Sequence, residues 1–229
     1  MLSRWLRELD GDAACLTAVG LVRLGAEDRL STESESTTWV GGVRAASFAD
    51  AWLAFGDGSA AGLRAPAPAV LRAVVARAAE LVLRRCREDG PAALEWLGQR
   101  SAETREQARR AGSSHPAEPC ALTLVWHGVQ ALTAEDGPGH IDRVEERAEA
   151  YVREHHRRRD TLALVLCCTG IAASALVELC EGDPERVADW LEQDAARCMP
   201  RGGRVPLWVP GRPSAAARHP QRPAEHGDG

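Results

Sequence analysis

Seventeen consecutive residues, Thr161 through Val177, carry no charge, and they are fenced by Arg157, Arg158, Arg159 and Asp160 on one side and Glu178 on the other. A helix that crosses hydrocarbon needs about 20 predominantly apolar residues. This run includes Thr161, Thr169, Gly170 and Ser174 and meets a further acid at Glu181. Leu162, Leu164, Val165, Leu166, Ile171, Leu176, Val177 and Leu179 fall on every side of a helical wheel, the pattern of a helix enclosed by other helices. The run predicts a buried central helix, with no membrane span, and the rest of the chain has to supply its wrapping.

The wrapping is legible in the periodicity. After Pro66 and Pro68, Leu71, Val74, Val75, Ala78, Leu81, Val82 and Leu83 recur at helical spacing, with Arg72, Arg77, Glu80, Arg84 and Arg87 placed mostly off that stripe. Asp89-Gly90-Pro91 ends this helix and starts the next, which carries Leu94, Trp96 and Leu97 and then turns polar. Residues 112–119 punctuate the chain, and Cys120–Ala134 forms a second uncharged run. A helix follows with its stripe at Ile141, Val144, Ala148, Tyr151 and Val152. Asp183-Pro184-Glu185 is a strong start for the last helix, cap, first-turn proline and acid in order. Toward the N-terminus, residues 3–25 predict one or two short helices and 31–38 a polar loop. Trp39–Val43 is too rich in glycine to assign, and Ser47 with Asp50 opens a helix signal that ends at Gly56.

Two segments repeat one another. At a constant offset of 94, Ala79, Cys86, Asp89, Trp96, Leu97 and Gln99 match Ala173, Cys180, Asp183, Trp190, Leu191 and Gln193. A looser match, needing gaps, puts Trp39, Gly41 and Ala45 near Trp126, Gly128 and Ala131. The fold class predicted is all-α: a helical bundle or array over residues 1–200, readable as two related helical halves (1–111 and 120–200). Residues 201–229, rich in Pro, Gly and Arg, predict a disordered tail in which only Val205–Val209, with Trp208, could pack.

Composition excludes some functions. The net charge of −5 speaks against a general nucleic-acid binder, and lysine is absent, so the basic residues reflect a bias toward arginine more than phosphate recognition. Seven scattered cysteines without a Cys-x-x-Cys pair predict reduced core residues, and the charged N-terminus lacks the apolar stretch of a secretory signal. Both point to the cytoplasm. The glycine-rich pieces match neither the phosphate-loop nor the dinucleotide pattern, and no metal-ligand spacing occurs, so no cofactor or metal is expected.

Three functional readings follow. The first is a non-catalytic cytoplasmic protein-binding, regulatory or adaptor protein, with Arg105, Arg109, Arg110 and Trp208 as the partner-facing residues. Neither nucleic acid nor membrane is expected as a partner. The second is a helical sensor that holds a small hydrophobic ligand among Trp126, Tyr151, His155 and Cys168. The third is an enzyme built on His155 with Glu154, or on Cys120.

Overall fold

The computed structural model describes residues 13–31, 67–112, 115–155 and 158–198. Among them every regular element is a helix: α1 (Ala13–Leu30), α2 (Ala67–Arg85), α3 (Gly90–Ala111), α4 (Ala117–Thr133), α5 (Gly137–Glu154), α6 (Arg158–Leu179) and α7 (Pro184–Cys198). The Trp39–Val43 stretch, the 47–55 helix signal and the tail with Trp208 lie outside the described residues.

The uncharged run takes the central place. α6 packs most extensively on α2 and is also covered by α1 and α4, while α5 and α3 lie against α4, and α7 against α1. Leu164, Cys168, Ile171 and Leu176 are fully enclosed. The two buried hydroxyls of the run are satisfied locally: Thr169 donates to the Val165 carbonyl at 2.9 Å and Ser174 to the Gly170 carbonyl at 2.7 Å. An unpaired polar group there would cost about 1–3 kcal/mol, so these two bonds let an apolar helix contain polar residues in a dry interior.

Both turns of the 94-residue echo adopt one conformation. In the first, Cys86, Arg87, Glu88, Asp89 and Ala93 amides donate to the carbonyls of Val82, Arg84, Leu83, Cys86 and Asp89. In the second, Cys180, Glu181, Gly182, Asp183 and Val187 donate to Leu176, Glu178, Val177, Cys180 and Asp183, the same five bonds at the same offset. Each helix thus ends in a left-handed cap, Arg87 and Glu88 at φ 56° and 63°, Glu181 and Gly182 at 58° and 74°. The aspartate then starts the next helix in both: Asp89 Oδ1 accepts from the Ala92 amide at 2.9 Å, and Asp183 Oδ1 from Arg186 at 3.3 Å.

A second correspondence joins α1 to α4. At an offset of 103, Ala14, Ala18, Leu21, Val22 and Gly25 match Ala117, Ala121, Leu124, Val125 and Gly128 without a gap, on one helical face. The non-glycine members are all buried. A Cβ on Gly25 would sit 3.1 Å from Ala173 Cβ and 3.4 Å from Thr169 Cγ2; on Gly128, 3.0 Å from Ala79 Cβ and 3.4 Å from Val75 Cγ1. Ala79 and Val75 are themselves the equivalents, 94 positions away, of Ala173 and Thr169. The packing repeats accordingly: α1 on α6 and α2, α4 on α2 and α6, with α7 against α1 as α3 is against α4. Gly128 thus makes the same kind of close contact as Gly25, while the gapped match of Trp126, Gly128 and Ala131 with Trp39, Gly41 and Ala45 falls on residues outside the described ones.

Gly128→Ala is expected to lower stability by about 1 kcal/mol. Overpacking against Ala79 costs about 1–3 kcal/mol and the gain in helix propensity returns about 1 kcal/mol. Gly98, which has nothing within 4 Å of an added Cβ, is the contrast: Gly98→Ala should gain up to about 1 kcal/mol. Thermal denaturation of the two variants measures both signs.

Three local expectations are revised. α1 runs past Gly25 to Leu30, because that glycine marks a close helix contact and not an end. Val152 is 40% exposed, since it lies to one side of the Val144–Tyr151 face that meets the core. Arg77 and Glu80 are 3% and 2% exposed despite their charge, because α2 is covered on several sides.

Candidate functional sites

The most unusual chemistry in the bundle is the buried ionic centre around Arg77. Arg77 Nη1 lies 3.1 Å from Glu80 Oε2 and 3.0 Å from Asp194 Oδ1, tying α2 to α7. Arg84 Nη2 reaches Glu80 at 2.7 Å, and Arg197 Nη2 reaches Asp194 at 3.0 Å. The Asp194 contacts are ion pairs without hydrogen-bond alignment at Oδ1. Burial pushes the Asp194 carboxyl above its usual range, and Arg77 and Arg197 pull against that shift. Three guanidiniums thus surround two carboxylates in one low-dielectric corner.

The same guanidinium meets sulfur. Arg77 Nη2 donates to Cys15 Sγ at 2.9 Å and Cys198 Sγ at 3.2 Å. These two cysteines form a disulfide, Cα–Cα 5.8 Å across a sequence separation of 183, clasping the start of α1 to the end of α7. This corrects the expectation that every cysteine is reduced. Spacing could not reveal the pair, because its partners lie near opposite ends of the described chain. Cys86, Cys120, Cys167, Cys168 and Cys180 are free thiols.

At the equivalent corner of the other half the charges are exchanged. Glu178, the counterpart of Arg84, accepts from Arg85 Nε at 2.6 Å and from Trp96 Nε1 at 3.1 Å, and it pairs with Arg100, the counterpart of Asp194. Burial pushes the Glu178 carboxyl up, but Arg85, Arg100 and Trp96 outweigh it and hold the group below the usual range. The Arg85 and Arg100 guanidiniums lie 5.7 and 5.1 Å from the Trp96 ring centre.

The ligand-site residues expected from sequence separate into two neighbourhoods. Tyr151 and His155 bring their ring centres to 4.5 Å with the planes tilted by 50°, and His155 caps the end of α5. Tyr151 shares its surroundings with Cys120 and Cys167, and Cys168 is fully buried beside Cys167. Trp126 faces the other way, its ring centre 5.0 Å from His127 and 6.3 Å from His140. The two histidines bring their Nδ1 atoms to 3.3 Å, and burial first, then His140 and Arg143, depress the His127 imidazole.

As for the residues proposed for an enzyme, burial pushes the Cys120 thiol up to about 11 against the pull of Arg147, which keeps it protonated and a poor nucleophile at neutral pH. Glu154 is exposed. Of the arginines expected to face a partner, Arg109 and Arg110 both pair with Glu106, at 2.7 and 3.1 Å, and Arg105 donates to Ser101. Among the described residues no group of three or more His, Cys, Asp or Glu side chains is placed to hold a metal.

A groove of about 490 Å³ opens where the α2–α3 turn meets the end of α4. Leu83, Pro91, Leu94 and Leu132 supply apolar walls, and Glu88, Gly90, Gln130 and Thr133 complete the lining. The sequence hides this site because it is made from the ends of three helices, none of which has a distinctive motif. No protein family, curated protein or solved structure matches the chain.

Proposed function

We propose that the chain is a non-catalytic binding protein with a regulatory or adaptor role, and that the groove between the α2–α3 turn and the end of α4 docks a partner protein. One observation supports this above the others: the fold does not need those apolar walls. At the equivalent corner of the other half, Pro91, Leu94 and Leu132 are replaced by Glu185, Ala188 and Arg29, and α7 still packs on α1 there as α3 packs on α4. Pro91 is exposed and Leu94 and Leu132 are half-buried, so the groove presents an apolar rim at a place where the matched corner does without one, and that difference supports a binding role. Among the described residues Glu88 is the one charged group in the lining, so the occupant that fits is a peptide segment presenting an aliphatic or aromatic side chain next to an arginine or lysine. A small hydrophobic ligand is the second reading, since the volume falls within the usual range for such sites, roughly 300–1,000 Å³.

Selection from a random peptide library on the intact chain tests the first reading. The expected product is a set of peptides sharing an apolar–basic pair, whose affinity falls by about tenfold or more, roughly 1.4 kcal/mol, in Leu132→Arg with thermal stability retained. That variant copies Arg29, so the fold should tolerate it. Peptides lacking the pattern, or binding Leu132→Arg as well as the parent, would remove the groove from consideration.

A further inference from the structure

We propose that Cys15 and Cys198 form a reversible dithiol–disulfide site, acted on by a dithiol reductant, whose state sets how firmly α7 is held. The two halves of the fold provide the comparison that carries this. Where one half has Arg77, Glu80, Asp194, Cys15 and Cys198, the equivalent positions of the other hold Ile171, Ser174, Arg100, Glu118 and Thr104. Ile171 and Ser174 pack there at 0% and 3% exposure. The architecture is therefore satisfied by an aliphatic and a small polar residue at that depth. A buried arginine and two buried carboxylates are expensive in such a place, and here they are assembled against a disulfide.

The chemistry of the assembly suits exchange. A thiolate of the dithiol attacks one sulfur of the Cys15–Cys198 bond, forms a mixed disulfide and expels the other cysteine as a thiolate. The second thiol of the reductant then attacks its own sulfur in the mixed disulfide and releases the first cysteine. Two electrons and two protons pass to the pair, and the reductant leaves as its own disulfide. The step is governed by how well the leaving sulfur carries negative charge. Arg77 Nη2 lies within 3.2 Å of both sulfurs, so whichever one leaves does so against a fixed cation. The five remaining cysteines have no comparable pair of partners, and burial pushes the thiols of Cys120, Cys167, Cys168 and Cys180 upward.

Access comes from the position of the bond. Cys198 lies in the last described turn of α7, and the main packing of α7 is on α1. Opening of that final turn exposes the sulfur by giving up the Arg197–Glu80 and Arg77–Cys198 contacts, while the packing of α2, α4 and α6 on one another stays in place. After reduction, α7 keeps its ion pairs to Arg77 and Glu80 but loses its covalent tie to α1.

The test is a redox titration of the full chain in dithiothreitol buffers, with alkylation trapping and mass spectrometry of the Cys15 and Cys198 peptides while helix content is followed by circular dichroism. The expected result is that both cysteines become alkylated together, in a single step, with the helical signal retained. Reduction should slow about tenfold in Arg77→Met at neutral pH and shift its pH profile upward, while Arg77→Lys, which keeps the cation, should restore the parent profile. Arg197→Gln, at the exposed edge, provides the same comparison in smaller measure if Arg77→Met fails to fold. The proposal is overturned if the pair is reduced only as the chain unfolds, if both residues are free thiols under oxidising conditions, or if the pH profile ignores these substitutions.

Discussion

Arg77→Met is expected to destabilise the folded chain by about 3–5 kcal/mol, because it leaves charges buried without their partner. Glu80 and Asp194 are 2% and 1% exposed, and both lie within 3.1 Å of the Arg77 guanidinium. Methionine fills most of the volume, so the loss is electrostatic and not a cavity effect. A loss of this size should lower the melting temperature by about 10 °C in a domain of this length.

The pH dependence identifies the cause. The Asp194 carboxyl already sits above its unfolded value because burial disfavours its charge, and removal of Arg77 takes away a cation that opposes this shift. A carboxyl with a raised folded pKa binds protons more readily in the native state. Its contribution is most favourable below the unfolded pKa and is lost as pH rises through the folded one. The deficit of Arg77→Met should therefore be largest at pH 7 and shrink by pH 5. Urea unfolding of parent and variant at the two values measures this, and a deficit that is the same at both would reject the electrostatic account. The double variant Arg77→Ile with Glu80→Ser, which copies Ile171 and Ser174, should recover part of the loss, since an ion pair replaced as a unit leaves fewer charges unpaired.

The route from sequence to architecture was short wherever one residue decides a local outcome. Asp89 and Asp183 start helices because a carboxylate one or two residues before a proline leaves little else to form, and both do cap their helices. The uncharged run at 161–177 had to be enclosed, and from Leu164 to Leu176 it is buried at every position but Gly170. What sequence periodicity misses is the residue whose partner is remote. Arg77 and Glu80 look like surface groups on an amphipathic helix, because a stripe drawn on one helix cannot show that three other helices will cover the opposite side. The Cys15–Cys198 bond and the groove fail to announce themselves for the same reason. The correspondence of α1 with α4 is hidden by spacing: its offset is 103 where that of the following helices is 94, so nine more residues separate the matched helices in the first half than in the second. Only the contacts at Gly25 and Gly128 reveal it.

That correspondence predicts an energetic equality as well as a geometric one. Leu21 and Leu124 are identical residues at matched positions, 1% and 0% exposed. Each lies one turn before its helix's close-contact glycine. Leu→Ala in a core costs roughly 2–5 kcal/mol, and the spread reflects how far the surroundings can collapse into the space left behind. Collapse should be limited here, because at Gly25 and Gly128 the helix backbones already approach Ala173 and Ala79 as closely as side chains permit. Both Leu21→Ala and Leu124→Ala should therefore fall in the upper part of that range, about 3–4 kcal/mol, and agree with each other to within about 1 kcal/mol. Denaturant unfolding of the oxidised chain is the measurement, with the Cys15–Cys198 bond intact in both variants so that the reference unfolded state is the same. A cost at Leu124 more than twice that at Leu21 would mean that α4 carries the fold and α1 merely covers it. The likeness of the two halves would then be one of shape and not of energy.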